Sequence, residues 1–484
     1  MPDKQILTAV TVCGLVGVAI HIVPHNDLIE QTAAAPAAQE SVLVRNIPHV
    51  HQKPDFCGEA CAEMALRHLG HRYDQDAVFD RAHLSPLEGR GCHTKELRTA
   101  LTAIGFEVGS VWYKIRAAKV REGLTSQWNA VYRDLAAGVP SILCTRYDER
   151  PNTTEHFRLV IGYDATADEI IFHEPAEADG GYRRMPRGRL FELWPLKYDR
   201  DIWTVIRFPL KPNRIPAAHP TTTFTDADYA QHMMQLKQRL PGDQFHVVLQ
   251  KPFFVIGDEP AATVERRTAG TIRWAVEKLK QDYFARDPEH IIDIWLFKNK
   301  TSYDQHTESI FNDTPTTPYG YYSPMHRALV MNISTGGGTL VHEIVHPFIE
   351  ANFPACPSWF NEGLASLYEQ CGTRNKKIIG YTNWRLAGLQ RAIRAGHVPS
   401  FNDLCSTTTR EFYDDPRGTN YSQARYLCYY LQQQGKLRKY YHDFRKNAAE
   451  DPTGLRTLST VLGEKDLDKF KKRWETYVAA LKFR

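Results

Sequence analysis

Apolar and polar positions repeat with two different periods along this chain, and the changes of period mark its elements. Ser41 to Pro48 reads as a short strand, and Cys57 to Gly70 as an amphipathic helix with Asp55 as its cap. Gly91 to Gly105 reads as a capped helix, Phe106 to Trp112 as a strand, Trp128 to Gly138 as a helix and Pro140 to Cys144 as a core strand. Two apolar runs, Glu155 to Asp164 and Glu169 to Pro175, form a hairpin that turns at Ala167-Asp168. Arg183 to Trp194 is polar and then helical. Lys211 to Thr223 is rich in Pro and Thr with weak periodicity, the best domain boundary in the chain. Beyond it, Phe245–Gln250, Phe253–Gly257, Ile291–Phe297 and Ala328–Ile333 read as strands, and Glu259 to Phe284 as a long amphipathic helix. Leu340 to Glu350 reads as a buried helix, followed by a second from Trp359 to about Glu369 that returns after Pro354 and Pro357. From there the pattern is helical to the end.

Composition narrows the picture only slightly. A length of 484 residues suggests two to four domains, and 42% apolar with 24% charged residues is ordinary for a globular protein. Sixty basic against 56 acidic residues, a net charge of +4, builds no large basic field, so nucleic acid is not an expected partner. Residues 1–40 are read as a targeting segment and linker: the mostly apolar run 6–23 is long for a signal peptide and short for a membrane span. It predicts an extracytoplasmic protein, either secreted or anchored by that run. Nine Cys is an odd number; Cys356 with Cys371 is one candidate pair.

The chemistry concentrates first in His342-Glu343-Ile344-Val345-His346. On a helix the two imidazoles stand one turn apart on one face, where they can grip one Zn²⁺ and leave positions for a third ligand and a water. Glu343 beside them is placed to take a proton from that water. The third ligand is expected from the second helix, as Glu362 in Asn361-Glu-Gly-Leu-Ala365; Glu350, two turns along the first helix, is the rival. His-Glu-x-x-His followed by Asn-Glu-Gly-Leu-Ala resembles the gluzincin clan of metallopeptidases. The resemblance implies His342, His346 and Glu362 as Zn²⁺ ligands and Glu343 as general base. It also implies a mixed sheet ahead of the motif helix, whose last strand lies at the cleft edge and pairs with an extended peptide. A downstream Tyr stabilises the oxyanion in that clan, and Tyr421 at a helix start is the candidate, with Tyr319-Gly-Tyr-Tyr322 as an alternative source of a hydroxyl.

A second constellation lies in the first half. Cys57 sits in the first turn of its helix, where the positive helix end is expected to lower the thiol pKa. Gln52 upstream can donate to a developing oxyanion, His156 heads an apolar strand as a base, and Glu174 on the returning strand can hold its imidazole. His173 alternates to the other face and reads as structural. Gln52, Cys57-Gly58, His156 ahead of Val160-Ile-Gly-Tyr163, and Glu174-Pro175 together resemble the papain-like peptidase domains of bacteriocin exporters that remove double-glycine leaders. The resemblance spans about Leu43 to Leu210 and implies Cys57 as nucleophile, His156 as base, Glu174 as orienting acid and Gln52 in the oxyanion hole. Two positions depart from it: Glu174 stands where Asp is usual, and Glu59 where Pro is usual.

The expected architecture is α+β: a targeting segment and linker at 1–40, a papain-like cysteine peptidase-type domain at 41–210, a linker at 211–223, and a gluzincin-type metallopeptidase domain at 224–484, a mixed sheet followed by a helical subdomain. The expected function is hydrolysis of peptide bonds in a peptide or protein substrate by metal-activated water. A peptide-holding envelope protein with one or both sites inactive is the alternative, and metal content separates the two.

Overall fold

The computed structural model describes residues 39–218 and 224–483. The apolar run 6–23 and Cys13 lie outside the described residues, and no described helix is long and apolar enough to cross a membrane. A sheet-rich α+β half is followed by a second half that becomes largely helical beyond its own sheet.

The first sheet is antiparallel throughout. Its strands lie in the order Trp112–Arg116, Ile202–Pro209, Ser141–Arg146, Glu155–Asp164, Glu169–His173, Arg183–Pro186, and the short strands Val42–Leu43 and Leu196–Asp199 pair onto it. Helix Cys57–His68 packs on the central strand Glu155–Asp164, burying Phe56, Cys61, Met64 and Leu66. The hairpin at Ala167-Asp168 forms as its alternation implies. The strand read at Phe106 to Trp112 begins only at Trp112; Phe106 makes a single bridge to Pro212. Asp55 does not cap the helix. Phe56 is the capping residue and makes no side-chain bond, while Asp55 Oδ2 accepts from the Gly91 N–H 2.8 Å away.

The second sheet is mixed. Phe253–Gly257, Ile292–Phe297 and Ala328–Asn332 run parallel, with antiparallel strands His246–Gln250 and Gly320–Ser323 at the two edges. The parallel strands are covered on both faces, which is why their sequences are near-continuous apolar runs. Ala328–Asn332 is therefore internal, and the strand at the cleft edge is Gly320–Ser323. The helix read over Glu259 to Phe284 does form, but one wide turn, Thr268–Arg273, interrupts it. The chain after Glu369 is not wholly helical. Cys371–Arg374 and Lys377–Gly380 form a hairpin whose two turn residues, Asn375 and Lys376, both have positive φ (52° and 64°). That backbone is the favoured two-residue hairpin turn, normally signalled by Asn-Gly; Lys376 in the glycine position hid it. The eight described cysteines, Cys356 and Cys371 included, are all free thiols.

Helix Asp226–Arg239 joins the halves. Ala227 and Ala230 enter the core of the first, while Tyr229, Met233 and Leu236 pack on the second sheet. Buried Asp293 on the strand Ile292–Phe297 bolts it down, accepting from His232 Nε2 at 2.7 Å and Arg239 at 3.1 Å. On its other face Gln231 donates to the Pro54 carbonyl, three residues before Cys57. Asp293→Ala removes both anchors and should cost about 1–3 kcal/mol, read as a lowered thermal midpoint. Gln238→Ala, exposed on the same helix, should stay within about 0.5 kcal/mol.

Candidate active sites

The motif helix, Gly338–Asn352, begins directly after Gly336-Gly337 leaves the sheet. A Cβ on Gly338 would stand 2.1 Å from the Glu369 carbonyl oxygen, so only glycine lets the helix start this close to residue 369. Pro347 removes the N–H that would bond the Glu343 carbonyl, yet the helix runs through it to Asn352. His342 and His346 share a face, with ring centroids 4.9 Å apart. Candidate ligand atoms of His342, Glu343 and His346 all lie within 4.8 Å of one another.

The return helix, Ser358–Leu367, aims Glu362 at the same point. Its Oε2 is 3.2 Å from His342 Nε2, and its Oε1 3.9 Å from His346 Nε2. The far nitrogen of each ring is braced from behind. His346 Nδ1 donates to Asn361 Oδ1 at 3.0 Å, and His342 Nδ1 faces Glu369 Oε1 at 3.4 Å. Arg385 grips both oxygens of Glu369, at 2.7 and 3.0 Å, and Asn383 donates to one of them at 2.8 Å. Such outer contacts fix ring orientation and leave both Nε2 atoms facing inward. Glu343 Oε2 accepts the Tyr322 N–H at 3.1 Å and lies 3.9 Å from His346 Nε2.

These residues fit a divalent cation. Glu362 Oε2 is buried without a hydrogen-bond partner, a condition that native structures rarely leave uncompensated. Ligand atoms about 2.1 Å from a tetrahedral ion are about 3.4 Å apart, between the two spacings seen here. Two imidazoles and one carboxylate are a donor set that Zn²⁺ takes. Glu350, by contrast, is exposed on the cleft wall, where the Tyr322 hydroxyl hydrogen-bonds it.

Electrostatics match that geometry. Burial works against charge on Glu362, but the two imidazoles and the Tyr413 hydroxyl outweigh it and hold the carboxyl down to about 2. Burial likewise opposes charge on His342, yet Glu362 and Glu369 push its pKa well above the imidazole range. The pair of carboxylates that holds a proton there also favours a cation. Glu343 moves the other way: burial, with Glu362 adding, raises its pKa despite the nearby imidazoles, toward that of a group able to accept a proton and return it.

Tyr421 is the third residue of helix Thr419–Gln433 and lines the cleft, a cavity of about 480 Å³ that also contains His342, Glu343, His346 and Glu362. The Arg385 guanidinium lies 5.1 Å from its ring centre. Tyr413 reaches further in, donating to Glu362 Oε1 at 2.5 Å. Burial, then the charge of Glu362, pushes both hydroxyls above the ordinary tyrosine range, so both remain donors. Tyr321 donates instead to Asp313 at 2.6 Å. The sequence reading missed Tyr413, Glu369, Arg385 and Asn361. Only Asn361 had a local signal, its place next to Glu362.

In the first half, Cys57 opens its helix against the strand that carries His156, and its thiol meets the Phe157 backbone N–H. His156 Nε2 hydrogen-bonds Glu174 Oε1, and Glu174 Oε2 accepts from Arg158 Nε at 2.7 Å. Arg158 spends its other donors on Thr145, Arg146 and Tyr147, so the acid is rigidly held. The Gln52 N–H donates to the Pro175 carbonyl at 2.8 Å, which places Gln52 beside the acid; its Oε1 is buried without a partner. His173 accepts from the Tyr182 N–H and contacts the Ile47 carbonyl, a structural role. The thiol does not behave as its helix position suggests. Burial, with Glu59 and Asp55 adding, pushes Cys57 up to about 12. Glu59 is fully buried, and burial raises its own carboxyl to about 7, although Oε1 accepts the Cys92 N–H.

Residues 44–199 match the Peptidase_C39 like family. Among solved structures, the peptidase domain of Streptococcus ComA, a bi-functional ABC transporter involved in quorum sensing, matches at 18% identity, covering 34% of this chain and 99% of that one, with a TM-score of 0.23. No curated protein matches the chain.

Two outcomes follow from these sites. Glu369→Ala frees the His342 ring and should weaken divalent-metal binding about 10–100-fold, while Glu350→Ala leaves it unchanged; competition with a chromogenic chelator reads both. Because the Cys57 pKa is raised, less thiolate exists at every pH below about 12 than for a free cysteine. Its alkylation at neutral pH should run on the order of a thousandfold slower than that of a free thiol and keep climbing past pH 9. A plateau below that pH would show a thiolate already formed.

Proposed function

We propose that this chain is a metal-dependent peptidase whose reacting centre lies between the motif helix and the return helix. The observation that carries the reading is Glu362, whose buried Oε2 makes no hydrogen bond and lies 3.2 Å from His342 Nε2, while its Oε1 lies 3.9 Å from His346 Nε2. His342, His346 and Glu362 would hold a divalent cation, Zn²⁺ by donor set, which supplies a Lewis acid to acidify water and polarise a carbonyl.

The chain's own groups do the rest. Glu343, with its raised pKa, takes the proton of the attacking water on a carboxylate oxygen and hands it to the departing amine. Tyr413 and Tyr421 present phenol O–H groups to the cleft where negative charge develops on the carbonyl oxygen. Gly320–Ser323 offers its open edge to an extended peptide. The Tyr322 N–H points off that edge to Glu343, so a peptide lying along it passes the base.

For the N-terminal half, a peptide-holding role is the second reading, alongside cysteine-peptidase activity. The Cys57 thiol, kept protonated by burial and by Glu59, favours it.

Peptide cleavage by the metal-loaded protein, abolished by a chelator and restored by Zn²⁺, tests the main proposal. Glu343→Gln should retain metal in full and lose turnover about 10²–10⁴-fold; turnover at the native level would remove Glu343 from its role.

A further inference from the structure

A second cavity, of about 500 Å³, adjoins the cleft. Val341 and Glu369 line it, while His342, which Glu369 meets, lines the cleft itself. The cavity and the cleft share no lining residue, and the His342 ring with Glu369 behind it stands between them. Its walls are Trp274, Tyr319 and Trp384, and Gly336 to Gly338 leave it wide by contributing no side chain. The Trp274 indole N–H donates to Thr373 Oγ1 at 3.0 Å, which fixes that ring. Trp384 and Tyr319 remain 53% and 51% exposed, the Arg385 guanidinium lying 5.8 Å from the Trp384 ring centre. Glu369 is the one charged side chain of the lining, and Arg385 already holds both its oxygens.

We propose that this cavity is the subsite that selects the substrate, taking one large uncharged aromatic side chain next to the scissile bond. The proposal rests on the peptidase reading above and deepens it. Continuity with the edge strand carries it. The Tyr319 carbonyl accepts the Asn332 N–H, so Tyr319 extends the pairing of Gly320–Ser323 by one residue. A peptide drawn along that open edge toward Glu343 passes the Tyr319 ring. Aromatic walls reward an aromatic guest through edge and offset contacts. Thr271, Thr335 and Thr339 supply hydroxyls for a tyrosine O–H or an indole N–H. A lysine or glutamate side chain would lose its hydration there and find no free counter-charge.

The test uses the full metal-loaded chain and peptides that differ only in the residues flanking the cleaved bond, with Phe, Ala or Lys at each. At one of the two positions kcat/KM for Phe should exceed that for Ala and for Lys by about 10–100-fold. Trp384→Ala, at an exposed position, should cut that preference several-fold. Gly337 has ordinary helical φ (−83°), and a Cβ there would meet Thr271 Cγ2 at 3.3 Å. Gly337→Leu should thus fill the cavity and turn the preference toward Ala. Equal rates on the three peptides, or a preference that survives both variants, overturns the subsite and leaves the peptidase reading standing. Failure to cut any peptide with metal bound overturns the peptidase reading, and the subsite with it.

Discussion

Glu362 reaches the two imidazoles because the helix that carries it packs nearly backbone to backbone on the helix behind it. A Cβ at Gly363 would stand 3.0 Å from the Ala424 carbonyl oxygen and 3.1 Å from Cys428 Sγ. Glycine at that one position lets Ser358–Leu367 settle against Thr419–Gln433, and the settled helix turns the preceding residue toward His342 and His346. The burial of Trp359, Phe360, Leu364, Leu427 and Leu431 around that contact provides the driving force. Concentrating carboxylates and imidazoles there opposes it, since each loses hydration. Opposite charges lie close enough to compensate, as the lowered Glu362 and raised His342 pKa values record.

The same packing explains the outer ring of contacts. Glu369 follows the return helix, and the chain then leaves through the hairpin Cys371–Gly380 before Asn383 and Arg385 come back to it. The hairpin is thus a device of return: it delivers a guanidinium to a carboxylate sixteen residues earlier. Arg385 in turn lies over the Tyr421 ring, which joins the brace behind His342 to the hydroxyl side of the cleft. A displacement of this hairpin would be felt at both ends of the site.

The N-terminal site uses the same design with the opposite electrostatic balance. There too a carboxylate holds an imidazole, Glu174 on His156, and an arginine holds the carboxylate. At the first site the carboxylates face groups that bear positive charge. At the second, burial disfavours the thiolate of Cys57, and Glu59 and Asp55 add to it because that reactive form is negative.

Much of this was legible in the residues alone. The spacing of His342 and His346 demands one helical face, and the apolar runs at 253–257, 291–297 and 328–333 announce strands, because period and composition are local properties. The Glu155–His173 hairpin was readable for the same reason, and so was a peptidase-like stretch where residues 44–199 match the Peptidase_C39 like family. What tertiary structure alone decided is non-local. Burial, not helix position, governs the Cys57 thiol, since the protein that surrounds it comes from a strand a hundred residues away. The brace of Glu369 by Arg385, the hydroxyl of Tyr413 on Glu362, and the edge position of Gly320–Ser323 all arise from segments distant in sequence. Their energies depend on distance and on excluded water, quantities that a linear order of side chains does not contain.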